Sequence, residues 1–106
     1  MNRKTLSALK KSIKHWERNV LAKTPGKTST GNEQCALCAL FLNQSESCQG
    51  CPVALKTGKP YCYGSPYEKA ACERNFWYFR LGNLKAKERW HLAAKAELAF
   101  LRSLLP

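Results

Sequence analysis

Residues 35–62 read CALCALFLNQSESCQGCPVALKTGKPYC and hold five of the chain's six cysteines. Two C-x2-C pairs, Cys35 with Cys38 and Cys48 with Cys51, are separated by a polar loop, so four thiolates can converge on one tetrahedral ion. Bound by four cysteines, such an ion has no position left for water, which points to structural Zn2+ and away from hydrolytic chemistry. Cys51 is followed by Pro52, a residue favoured at the first helical position because its missing N–H would be unbonded there anyway. PVALKT therefore reads as a short helix ended by Gly58, with Cys51 at its amino end, where the helix dipole favours a thiolate.

Cys62 is a fifth candidate in the same stretch. Either it replaces one of the paired four or it stands beside them as a spare thiol. An iron–sulfur cluster is the other occupant that four thiolates allow, although the compact spacing of bacterial ferredoxins is absent. Nine residues separate Cys38 from Cys48 and Cys62 from Cys72, the spacing of disulfide-linked helical hairpins. Those hairpins require unbroken helices, and Gly64 and Pro66 interrupt the second interval.

Working outward, 106 residues form a single expected domain that buries roughly 65% of its unfolded surface, enough for a modest core that a metal would reinforce. The expected division is a basic amphipathic helix over residues 1–24, a metal-binding knuckle over 31–66 and a helical hairpin over 66–106. The formal net charge is +11, which favours polyanionic partners. Residues 1–30 carry eight bases against one acid, whereas residues 31–66 are balanced, so the electrostatic footprint lies mainly on the first helix. No apolar run approaches the ~20 residues that span a bilayer, and no signal-peptide core follows the basic start. A reducing, cytoplasmic setting is expected, in which clustered cysteines serve as metal ligands.

From Thr5 to about Lys23, the residues Leu6, Leu9, Ile13, Trp16 and Val20 recur at helical spacing, opposite Lys4, Lys11, Lys14 and Arg18. That cationic face is a solvated surface, a contact for nucleic acid or a membrane-surface face, and the apolar stripe equally suits docking on a partner helix. Residues 24–34 form a polar linker punctuated by Pro25, Gly26 and Gly31, where helix should not persist. Ser65, Pro66 and Glu68 have the capping-box arrangement and predict a helix running to about Arg80. Cys72 within it, beside Ala70 and Ala71, is expected to be a small buried side chain. The run Phe76, Trp77, Tyr78 and Phe79 is core packing or, beside Arg74 and Arg80, a platform for stacked bases. Gly82 and Asn83 turn the chain into a last helix from about Leu84 to Leu104, with Trp90, Ala94, Leu98, Leu101 and Leu105 on its apolar face. Together these elements predict a mainly α, small helical domain in which the first and last helices pack together around a central four-cysteine zinc knuckle.

No glycine-rich phosphate loop, paired carboxylates or serine elbow is present, and neither His15 nor His91 lies near a nucleophile in sequence, so no enzyme is expected. The cysteine block, with one pair in a loop and one at a helix start, resembles treble-clef zinc sites. HWERN at residues 15–19, CALC at 35–38, CQGCPVALKTG at 48–58, YCYGSPY at 61–67 and ELAFLRSLLP at 97–106 together resemble a group of small bacteriophage- and prophage-encoded proteins. The resemblance covers most of the chain. It implies a bacterial host cytoplasm and a shared centre of Cys35, Cys38, Cys48, Cys51 and Cys62 with Ser65, Pro66 and Tyr67. The function expected is a non-enzymatic zinc-binding protein that takes DNA or RNA phosphates on Lys4, Lys11, Lys14 and Arg18, with Arg74 and Arg80 in support, in a regulatory role. The alternative is an interaction module that docks on a host or phage protein through its Trp- and Leu-rich faces.

Overall fold

The computed structural model describes residues 1–31, 35–42, 50–59 and 62–106. The protein is mainly helical, with no strand among the described residues. Helix α1 spans Arg3–Leu21. It starts two residues earlier than the apolar pattern implies because Asn2 caps it, accepting from the Thr5 N–H at 2.8 Å. Leu9, Ile13 and Trp16 are buried as the spacing requires, while Thr5, Ala8, Ser12 and Asn19 widen the covered face. The opposite face leaves Lys4, Lys11, Lys14 and Arg18 in solvent.

Helix α2 spans Pro52–Thr57 and closes on Gly58, whose φ of 74° is the left-handed conformation that glycine adopts without a steric penalty. Helix α3 spans Tyr67–Tyr78. Its start departs from the expected capping box by one residue. The Glu68 carboxylate accepts from the Gly64 N–H at 2.7 Å, and Ser65 Oγ accepts from the Tyr67 N–H at 3.3 Å. Helix α4 spans Leu84–Ser103 and is capped by Asn83, which accepts from the N–H groups of Lys85 and Ala86 at 3.0 and 3.1 Å.

α1 and α4 pack together and run antiparallel. Thr5 shares a hollow with Leu104 near one end, and the Trp90 indole N–H donates to the Asn19 carbonyl at 3.2 Å towards the other. α3 packs on α4 through Trp77. The three tryptophans form one stack: Trp90 lies 6.0 Å from Trp16 and 6.3 Å from Trp77, with interplanar angles of 30° and 23°. Aromatic pairs of this kind contribute about 0.5–1.5 kcal/mol each beyond the area they bury. Glu73 on α3 grips Arg89 on α4 through two N–H···O bonds of 2.6 and 2.8 Å.

Among its described residues, the polar stretch after α1 holds a short 3-10 turn, Pro25–Lys27, and no longer helix, as its composition implies. Composition does not disclose that the stretch is clamped. Asn19 pairs with the Ser29 backbone in both directions, at 3.0 and 3.2 Å, and His15 Nε2 lies 2.9 Å from the same Ser29 carbonyl. From α3, the Arg74 guanidinium donates to Thr28 Oγ1 and to the Thr28 carbonyl at 2.7 and 3.2 Å, and the Tyr67 hydroxyl donates to the Thr30 carbonyl.

Cys72 is exposed rather than buried, a correction to the sequence expectation. α3 buries Ala70, Glu73 and Trp77, a 3–4 spacing that turns position 72 away from the core. No helix among the described residues is long and apolar enough to cross a membrane.

Candidate metal centre and cationic face

A cavity of about 230 Å³ lies between α1, α4 and the cysteine segments. Cys35, Cys38, Cys51 and Cys62 all line it, together with Tyr67 and Glu97. Each cysteine is delivered by a different local device. Cys35 stands just before a π-helical turn, Cys38–Leu42, and its Sγ accepts the Cys38 N–H at 3.4 Å while Ser12 Oγ lies 3.9 Å away. Cys51 is the N-cap of α2, only 5% exposed, with Pro52 beginning the helix as expected.

Cys62 adopts φ of 63°, the single positive φ at a non-glycine position among the described residues. A left-handed L-residue costs roughly 1–2 kcal/mol and persists where its surroundings enforce it. Ser65 does so, donating to the Cys62 carbonyl from its backbone N–H at 3.2 Å and from its hydroxyl at 2.7 Å.

The electrostatics of the cavity follow from burial and sulfur. The Cys38 side chain hydrogen-bonded to Cys35 pulls the Cys35 thiol down to about 6; burial opposes this, and the Cys38 N–H and Ser12 assist it. Burial, and then the nearby Cys62, Cys38 and Cys35, push the Tyr67 hydroxyl up to about 12. Glu97 is 3% exposed, its carboxyl is raised to about 8 chiefly by burial and then by Cys35, and among the described residues its Oε1 has no hydrogen-bond partner.

Of the expected ligands, Cys35, Cys38 and Cys51 come to this one cavity, and Cys62 joins them there. Cys48 lies outside the described residues. Among the described residues, no three His, Cys, Asp or Glu side chains form a group that could hold a metal ion, so the four sulfurs rim a cavity. Glu97 escaped the sequence reading, yet it carries a signal: with Trp90, Ala94 and Leu101 it falls on the buried stripe of α4. A carboxyl at a core register is the anomaly to look for.

No family model, curated protein or solved structure matches this chain.

A second feature adjoins the cavity. Arg3, Lys4 and Lys11 line a hollow against Ala36, Ala39 and Leu40. Lys11, Lys14 and Arg18 line the next one along, again against Ala36 and Ala39. The two share a wall and form one cationic track along α1. From Arg3 to Arg18 it covers about 22 Å of helix. Among the described residues, none of these five side chains has a carboxylate within ion-pair distance. Arg74 and Arg80 are not part of the track. Arg74 is half-buried on Thr28, and the Arg80 guanidinium lies over the Phe76 ring, 4.1 Å from its centre.

Proposed function

We propose that this chain is a non-enzymatic, phage-type protein that holds nucleic-acid phosphates along the outer face of α1, on a scaffold stapled by structural Zn2+. The cationic track carries the reading. Five cations on one helix face, lodged in adjoining hollows beside small alanines, suit an extended run of negative charge better than a single anion. The track's length corresponds to roughly six nucleotides at ~3.4 Å of rise per strand. Contacts of this kind position phosphates and carry little sequence information, so binding is sequence-tolerant.

The zinc part rests on the donor chemistry of the cavity. Cys35, Cys38 and Cys51, with Cys62 or Cys48 as the fourth sulfur, make a thiolate set. A backbone N–H and a serine hydroxyl directed at Cys35 stabilise the deprotonated sulfur that a metal requires. When bound, the ion would supply cross-linking and no reaction. The residues themselves set the geometry: Pro52 fixes Cys51 at a helix start, and Ser65 holds Cys62 in its strained conformation.

The test is a titration of a labelled oligonucleotide with the full chain at two salt concentrations. Release of counterions by about five phosphate contacts weakens binding roughly 10²–10³-fold between 50 and 200 mM salt. Lys11→Glu with Lys14→Glu and Arg18→Glu, all on exposed positions, should abolish binding while leaving the circular dichroism unchanged. Absence of binding at low salt overturns the reading.

A further inference from the structure

The corner between α3 and α4 carries a surface that the fold does not use. Four large apolar side chains there face solvent: Tyr78 is 52% exposed, Phe79 78%, Leu81 72% and Leu84 75%. Trp77, in the same run, is 3% exposed and belongs to the tryptophan stack. Packing therefore accounts for Trp77 and leaves its two neighbours unexplained. Tyr78 and Phe79 lie edge to face, 5.4 Å apart at 80°, so each steadies the other. The turn beneath them is tightly specified: Gly82 takes φ of 86° and Asn83 caps α4. Rings presented from such a corner lose little conformational entropy when they are covered.

Charge narrows the choice of occupant. Between Glu73 and Glu88 the chain has no acid, and beside the exposed rings Arg80 and Lys85 face solvent while Lys87 is half-buried. Exposed aromatic faces set among cations match a ligand that offers flat π-surfaces and negative charge together, which is the chemistry of unpaired nucleobases on a phosphate chain. A duplex hides those base faces in its own stack. Position agrees. Because α1 and α4 are antiparallel, the Arg18 end of the track and this corner share one end of the molecule. Trp90, which touches Asn19, is about 9 Å along α4 from Leu84.

Resting on the function proposed above, we infer that Tyr78 and Phe79 are a stacking platform for unpaired bases, so that the protein prefers single-stranded to duplex nucleic acid. Arg80 and Lys85 hold the adjoining phosphates. Fluorescence anisotropy of the full chain against a labelled 20-nucleotide oligo(dT) and a 20-base-pair duplex tests this, using the wild type, Tyr78→Ala with Phe79→Ala, and Phe79→Trp. The wild type should bind the single strand about ten-fold tighter or more, the alanine pair should remove that preference, and the tryptophan variant should keep it. Duplex affinity should change less than about two-fold, because the phosphate track is intact.

Equal wild-type affinity for both nucleic acids, or equal losses on both in the alanine pair, overturns the inference and leaves the phosphate reading standing. Failure of the wild type to bind either one removes both. Phosphatidylserine vesicles form a third arm: binding that the alanine pair loses, with oligo(dT) affinity unchanged, assigns the corner to a membrane surface instead. Both replaced side chains are more than half exposed, so folding of the variant is checked simply by its melting temperature.

Discussion

The indole N–H of Trp90 donates to the backbone carbonyl of Asn19, tying the middle of the tryptophan stack to the last turn of α1. Trp90 is fully buried, and the same carbonyl also receives the Ala22 N–H at 3.3 Å. Trp90→Phe keeps a ring in the stack and deletes the donor, and should cost about 1–2 kcal/mol. Trp90→Ala also opens a cavity and should cost about 3–5 kcal/mol. Urea unfolding of the two variants separates the hydrogen bond from the packing.

Asn19 itself holds Ser29 through both its amide nitrogen and its oxygen, while only 2% exposed. Asn19→Ala leaves a carbonyl and an N–H of Ser29 without those partners. We expect a loss of about 2–3 kcal/mol, larger than for a surface asparagine. Faster amide exchange at residues 28–30 should accompany the fall in melting temperature.

Removing the proposed metal should unfold at least residues 31–66. Structural zinc supplies roughly 10–16 kcal/mol of apparent binding free energy in small modules, against the ~5–15 kcal/mol net stability of a whole domain. Treating the purified protein with a chelator should release zinc and lower both the helical circular dichroism and the melting temperature. An unchanged melt defeats the zinc reading.

Cys62→Gly separates strain from ligation. Glycine accepts the positive φ at no steric cost, so a Cys62 with no ligand role predicts a gain in stability of up to about 1 kcal/mol. A Cys62 that holds the ion predicts the reverse, with loss of both zinc content and melting temperature, and this is the outcome we expect. Cys72→Ser, on an exposed position, is the control and should shift stability by less than about 0.5 kcal/mol.

Glu97 sits in the core of a helix face, and among the described residues one of its oxygens has no hydrogen-bond partner. Burying an unpartnered polar group costs about 1–3 kcal/mol, so Glu97→Met, similar in length and apolar, should raise the melting temperature. A lower melting temperature together with lost zinc would show that the carboxylate serves the centre.

The helices were legible in the sequence because local signals set them. Pro52 and Gly58 bound α2, Asn83 caps α4, and the stripe of Leu9, Ile13 and Trp16 names the buried side of α1. The packing of α1 on α4 followed from two long amphipathic faces in need of cover. What escaped depends on partners distant in the chain. Arg74, read as a candidate phosphate contact, donates to Thr28, far away in sequence, a pairing that no local pattern encodes. Cys72 looked buried because its neighbours are alanines, but the facing set by Trp77 decided otherwise. The cysteine cavity was half legible: the C-x2-C pairs pointed to sulfur convergence, while the arrival of Cys62 depends on a left-handed backbone that no spacing rule encodes.

Since the chain's three tryptophans all belong to one stack, its near-ultraviolet emission reports on a single place in the molecule. Trp16 also forms part of the cysteine cavity wall. A paramagnetic ion such as Co2+ entering that cavity should therefore quench the emission directly. The protein thus carries an intrinsic optical gauge of what enters the cavity, with no attached label.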